Sequence, residues 1–139
     1  MNLTRKESMV LRFIYEVTKD IPLVTVKQVA EFLRISPPSA FELLNRLAEA
    51  KGLLLRIERK GYILTRSGRA VAQKLVAVHR ILETVFCRIF GMDADCACEV
   101  ASHVDFIIDI DHALRAMKML GNPEVCPHNK RIPIGEEID

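Results

Sequence analysis

The sequence predicts a mainly α-helical chain, with an N-terminal winged helix-turn-helix bearing a two-stranded wing and then a helical domain rich in candidate metal ligands. Three observations predict it. Apolar residues recur at three- and four-residue steps through most of the chain. The period changes to two across residues 53–65, around the turn Arg59-Lys60-Gly61. Charge is also divided: residues 1–74 hold 14 Lys and Arg against 7 Asp and Glu, a net +7, and residues 75–139 hold 6 against 11, a net −5. The formal +2 of the 139-residue chain conceals this split. A basic half suits an anion such as nucleic acid, and an acidic half suits cations. Chance placement of solvated charge produces the same arithmetic, so the motifs have to discriminate.

The elements follow in order. Leu3, Met9, Val10, Phe13, Ile14 and Val17 lie at helical spacing over residues 3–19, and Asp20-Ile21-Pro22 interrupts them. Thr25 is an N-cap for a short helix containing Val26, Val29, Ala30 and Leu33. Ser36-Pro37 pairs a capping Ser with Pro at the first helical position. The helix it opens turns Ala40, Leu43, Leu44, Leu47 and Ala50 inward and stops at Gly52. Leu53, Leu55 and Ile57 then alternate with Leu54, Arg56 and Glu58, and Tyr62–Thr65 supplies the second strand of a hairpin. Thr65 or Ser67 opens a long helix to about Phe90, with a stripe of Val71, Leu75, Val78, Leu82, Val85 and Ile89. Asp93 caps a helix to about Ile108, and Asp109 or Asp111 opens another through Leu114, Met117 and Leu120. The tail, with three prolines, reads as an ordered loop or extended arm. Residues 1–74 and 75–139 are the expected domains.

Half the residues are hydrophobic and 27% are charged, which excludes a disordered chain. The apolar runs are too short to span a membrane, and MNLTRKESM places charge where a secretory signal needs an apolar stretch, so a cytoplasmic protein is expected. In that compartment Cys87, Cys96, Cys98 and Cys126 are free thiols or ligands before they are disulfides, and no CxxC pair suggests a zinc ribbon. Cys87 and Cys98 are expected as buried thiols, and Cys126-Pro-His128 as the packing of a turn before it is a further ligand pair. No nucleophile–base pair, phosphate loop or GxGxxG suggests an enzyme or a small-molecule substrate.

For nucleic acid, the helix after Ser36 is the candidate reader, because a recognition helix meets base edges with its N-terminal residues. Those residues are Ser36, Pro37, Pro38, Ser39, Phe41 and Glu42. Backbone amides at its start can bind a phosphate, and Pro38 and Phe41 can touch thymine methyls. Arg59 and Lys60 at the hairpin tip reach flanking backbone or minor groove, with Lys27, Arg34, Arg46 and Arg56 as further phosphate contacts. Short trihelical units also occur in protein-interaction domains, which leaves an adaptor without a DNA role as another reading.

For metal, His79 and Glu83 stand four apart on the long helix, and Glu99 and His103 four apart on the next. Asp95 and Cys96 share the Glu99 face. One such pair is more often an exposed hydrogen bond than a site. Two pairs with two further donors make this half a metal candidate, since helices bearing such pairs can build a site in a bundle. A thiol or iron–sulfur redox sensor using the four cysteines is the alternative.

The stretches SMVLRFIYEV, TVKQVAEFLRISPPSAFELLNRLAEAKGLL, YILTRSGRAVAQKLVAVHRILETVF, ASHVD and LGNPEVCPHNKRIPIGEEI resemble the diphtheria toxin repressor family of iron- and manganese-dependent transcriptional regulators. The resemblance covers essentially the whole chain, and HRILE with the LGNP…CPH…IP tail is its most specific part. It implies a winged-helix domain followed by a helical dimerisation and metal-binding domain, in the short form without an SH3-like third domain. It also implies a homodimer on double-stranded operator DNA, with the long-helix stripe and the Ile107, Ile110, Leu114 and Met117 region as the dimer face. By resemblance, a first-helix ligand falls at Met9, the ancillary site at His79, Glu83 and Asp95, and the primary site at Glu99, Ser102 and His103. Ser102 departs from the family pattern, which has a carboxylate there: either Cys96, Asp95 or water compensates, or the site binds more weakly, or the metal preference differs. Arg12 replaces a second first-helix carboxylate of the manganese branch. Met9 favours Fe(II), Glu99 favours Mn(II), and the expectation is Fe(II) with Mn(II) possible and other divalent transition metals binding in vitro.

Overall fold

Helix α1, Arg5–Val17, starts where Thr4 and Glu7 cap each other: the Glu7 N–H donates to Thr4 Oγ1 at 3.1 Å and the Thr4 N–H to Glu7 Oε1 at 2.9 Å. In this computed structural model residues 2–135 are described, and the last four residues of the predicted tail lie outside them. Helix α2, Val26–Leu33, has Thr25 as N-cap in a capping box with Gln28, and Arg34 closes it in the left-handed region. Helix α3, Pro37–Asn45, is capped by Ser36, which accepts from the Ser39 N–H, with Pro in the first turn.

Beyond Asn45 the helix widens into a π-helical turn, Arg46–Ala50, closed by the Lys51 N–H on the Arg46 carbonyl. The extra residue per turn shifts the inward face. Leu47 stays buried, while Ala50, expected inward from an unbroken 3.6 period, is exposed. Strands β1, Leu54–Ile57, and β2, Gly61–Leu64, pair antiparallel, with Leu54 opposite Leu64 and Ile57 opposite Gly61. Leu53 and Leu54 are both buried and Leu55 is 52% exposed, so the expected alternation fails at its start. Leu53 precedes the strand and bonds to the Leu47 carbonyl, so its side chain does not follow the pleat.

Helix α4, Arg66–Arg88, is capped by Thr65, whose Oγ1 accepts from the Gly68 N–H at 3.0 Å. Helix α5, Ala94–Ser102, is capped by Asp93, and α6, Ile110–Met119, follows Asp109. The α5 helix ends at Ser102, well short of Ile108. The Ser102 hydroxyl donates to the Glu99 carbonyl at 2.7 Å, and the next amides take i−3 partners, which tightens the chain into turns.

The chain divides into two units. One, Met9–Ala72, is the winged helix. Val10, Leu11 and Ile14 of α1 join Val29, Leu43, Leu44, Leu47, Leu53 and Tyr62 in its core. Phe13 stacks on Phe32 at 4.2 Å, and the Tyr62 hydroxyl donates to Asn45 Oδ1 at 2.8 Å. Val24 bridges Tyr62 on the outer side of the hairpin. The other unit takes the chain up to Ser8 and from Gln73 onward. Its core is Ala77, Val78, Ile81 and Leu82 of α4 with Ala101, Ala113 and Ile132. Much of the expected dimer stripe is therefore internal: Val78 and Leu82 are buried, and Ile110, Leu114 and Met117 pack on the same core. The apolar side chains left exposed in this unit include Ile89, Phe90, Ile107 and Met119. Among the described residues no helix is long and apolar enough to cross a membrane.

Candidate metal centre and nucleic-acid interface

In the winged-helix unit Lys27, Ser36, Pro37, Pro38, Ser39, Phe41, Glu42, Arg46, Arg59 and Lys60 are all exposed. The start of α3 is rigid: besides the Ser36 cap, the Ser36 hydroxyl donates to Ser39 Oγ at 2.9 Å. Phe41 is not open on both faces, because the Arg56 guanidinium lies 5.2 Å over its ring. Val26, Phe41, Arg56, Arg59, Lys60 and Tyr62 surround a shallow concavity of about 220 Å³ beside the hairpin. Arg59 holds φ +61° at the hairpin tip and Gly61 turns the chain back, so two cations project from a short, fixed turn.

In the other unit two groups of metal-ligand atoms converge on Glu83. The first is His79, Glu83 and Cys98: His79 Nε2 is 3.4 Å from Glu83 Oε1 and 3.4 Å from Cys98 Sγ. One helical turn on α4 sets the first pair, and α5 supplies the thiol. His79 Nδ1 faces Asp105 Oδ2 at 2.8 Å, and Asp105 Oδ1 accepts from the Ser8 hydroxyl at 2.9 Å. Asp105 thus holds the Nδ1 edge of the ring, and the Nε2 edge faces Glu83 and Cys98, where a metal ion would take its lone pair. A buried carboxylate behind a histidine is the arrangement that orients metal-ligating imidazoles.

The second group is Glu83, Cys126 and His128. The tail positions it through a tight turn, in which the Cys126 N–H donates to the Lys130 carbonyl and the Asn129 N–H to the Cys126 carbonyl. Arg80 of α4 anchors the turn by donating to the Arg131 carbonyl. His128 lies between two carboxylates, Nδ1 2.9 Å from Glu83 Oε2 and Nε2 2.9 Å from Asp95 Oδ1. The donor chemistry of both groups, imidazole, thiol and carboxylate, fits a divalent transition metal.

Among the residues expected as ligands, the structure thus brings His79 and Glu83 together and links Asp95 to Glu83 through His128. Cys96 is exposed, its amide taken by the Asp93 cap. Met9 is half-buried and belongs to the winged-helix unit. Glu99 and His103 pair at 3.3 Å in the open, while Ser102 is buried. Arg5 of α1 donates to both Glu99 and Ser102. The expectation of buried thiols at Cys87 and Cys98 is corrected. Cys98 is only half-buried and touches His79, because α5 turns it toward α4; Cys126 and His128 converge on Glu83 as well as shaping a turn. Cys87 is likewise only half-buried, not a fully buried thiol. Cys98 carried no local signal, since its partner His79 lies 19 residues away; His128 was legible only beside Cys126, because Glu83 lies 45 residues away.

Hydrogen bonds to Asp95 and Glu83 raise the His128 imidazole above its usual 6.5, against a smaller opposing effect of burial. The folded value exceeds the unfolded one, so the stabilisation is complete below pH 6.5 and is lost as pH rises through the folded value. Chelator-treated protein should therefore melt at lower temperature as pH climbs through that range. His128→Ala should flatten the profile, and a variant profile as steep as the parent's would remove His128 from the charged pair. Burial, then the Glu83 carboxylate, pushes the Cys87 thiol up, which disfavours the reactive thiolate a redox sensor needs.

Two family models match. Residues 2–62 match the N-terminal DNA-binding domain of iron-dependent repressors, and residues 65–134 match their metal-binding and dimerisation domain. Among relatives, the iron-dependent repressor IdeR of Mycobacterium leprae is 27% identical over 95% of this chain and 57% of its own length. The chain thus spans little more than half the length of that curated relative. Among solved structures, the manganese regulator SloR superposes with a TM-score of 0.84 at 28% identity, over 100% of this chain and 64% of its own. The hypothetical protein SSo2273 from Sulfolobus solfataricus superposes with a TM-score of 0.73 at 30% identity, over 95% of this chain and all of its own.

Proposed function

Because the chain belongs to the iron-dependent repressor family, we propose that it is a homodimeric transcriptional repressor that takes a divalent metal ion as corepressor and binds operator DNA in the cytoplasm. The observation that carries the reading is Glu83. One buried carboxylate meets His79 through Oε1 and His128 through Oε2, with Cys98 in the first group and Cys126 in the second. Its two oxygens can serve one ion or bridge a pair. Thiol and imidazole donors favour Fe(II) over Mn(II), and other divalent transition metals bind the same set in vitro.

A bound ion supplies charge neutralisation and a fixed geometry for these side chains, and no reaction is catalysed. His79 and Glu83 sit on α4, whose opening residues up to Ala72 belong to the winged-helix unit, so this helix is the covalent route from metal to DNA reader. Ile89, Phe90, Ile107 and Met119 are 65–89% exposed, more apolar surface than a lone unit needs, and they are the proposed dimer contacts. Two recognition helices then meet successive major grooves, ~34–36 Å apart.

The test is anaerobic gel-shift titration on genomic fragments selected by the protein itself. Fe(II), or Mn(II) as a surrogate, should tighten binding by about 5- to 150-fold over chelator-treated protein, the span of typical coupling free energies. Glu83→Ala should erase that difference while leaving residual DNA binding. Affinity indifferent to chelator would end the metal-switch reading and leave a metal-independent DNA binder.

A further inference from the structure

We propose that the corner formed by Glu99, Ser102 and His103 holds no metal ion in this protein, because the guanidinium of Arg5 is its resident cation. The inference deepens the metal-switch reading and rests on it in one respect, that the functional ion binds at Glu83. Arg5 lies in the first turn of α1, which the Thr4–Glu7 capping box fixes. Its Nη2 donates to Ser102 Oγ at 2.8 Å and to Glu99 Oε1 at 3.1 Å, and its Nε donates to Ser102 Oγ at 3.3 Å.

The hydroxyl of Ser102 has one proton and two lone pairs. The proton goes to the Glu99 carbonyl at 2.7 Å, and Arg5 takes the acceptor capacity with two N–H groups. Ser102 is 4% exposed, so water does not supply a substitute set of partners freely. Nothing on this oxygen is left to ligate an ion. Glu99 Oε1 is shared in turn between Arg5 Nη2 and His103 Nε2, at 3.1 and 3.3 Å. A guanidinium keeps its charge at every pH a protein survives. A divalent ion bound to Glu99 and His103 would stand beside that charge and be repelled by it. The neutral Ser102 suits this arrangement: it accepts from Arg5 without adding the second negative charge a divalent ion would require.

Mn(II) binding, counted from the magnetic resonance signal of the free aqueous ion, tests the assignment in the full chain. Glu99→Ala and His103→Ala should bind as many ions as the parent, with unchanged affinity. Arg5→Ala and Arg5→Gln should each take up an additional ion per chain, and adding His103→Ala to either should abolish it. The Gln variant keeps a hydrogen-bond donor toward Ser102, so it separates loss of charge from loss of packing; circular dichroism confirms that each variant is folded. An ion lost from Glu99→Ala or His103→Ala in the parent background overturns the proposal. So does the absence of an extra ion in both Arg5 variants. Glu83→Ala reports separately: if it loses no ion, the corepressor site is elsewhere and the Arg5 result still stands.

Discussion

Gly68→Ala should cost the winged-helix unit about 3 kcal/mol, the upper part of the range for overpacking a filled core. Gly68 sits in the first turn of α4, and a Cβ there would lie 1.8 Å from the carbonyl oxygen of Leu53 and 2.8 Å from its carbon. Both contacts are backbone, so no rotamer change relieves them. Leu53 cannot withdraw easily, because its N–H is bonded to the Leu47 carbonyl at 2.9 Å and its carbonyl to the Thr65 N–H at 3.0 Å. Conformational preference works in the opposite direction, since Ala is better than Gly in a helix interior by about 1 kcal/mol. The net loss is therefore a lower bound on the steric cost. Gly52→Ala is the control: its backbone has φ +65° and nothing lies within 4 Å of the new Cβ, so its cost is the ~1 kcal/mol of left-handed strain. Urea unfolding followed by circular dichroism separates the two. Equal losses at both positions would mean that α4 can slide away from the hairpin.

The parts of this fold that could be read in the sequence are those decided within a turn or two. Thr25, Ser36-Pro37 and Asp93 mark helix starts because a cap needs only the next three residues. His79 with Glu83, and Glu99 with His103, are pairs because an α-helix sets the distance between them. What each pair does depends on elements far away in the chain. Glu83 gains His128 from 45 residues downstream, and Ser102 gains Arg5 from 97 residues upstream. No spacing rule registers such a partner. The same limit explains Asp95: it shares a helical face with Glu99, yet its carboxylate is bonded to His128. The π-helical turn at Arg46–Ala50 was hidden for a different reason, since an inserted residue changes the helix register without changing its composition.

Removing the charge from the wing tip should weaken DNA binding to every sequence and lower its salt dependence, while leaving metal affinity unchanged. Arg59 and Lys60 are exposed in the turn between Ile57 and Gly61, and neither position is buried against the core. Arg59 has φ +61°, so Arg59→Gly removes the side chain and relaxes the turn, where Arg59→Ala would retain the strain. Lys60→Ala completes the neutralisation. Each lost phosphate contact should reduce the slope of log K against log salt by about 0.9, so two contacts reduce it by roughly 1.8 for each wing. At ~0.1 M salt the same relation gives an affinity loss of roughly 60-fold per wing, and more where both wings of a dimer engage. Ser39 and Glu42, at the exposed start of α3, are the residues proposed to face base edges: Ser39→Ala or Glu42→Ala should change the preference among sequences with little effect on slope. A wing variant that keeps the parental salt slope would show that the +7 of residues 1–74 meets DNA through other cations, with Lys27, Arg46 and Arg56 the next to substitute.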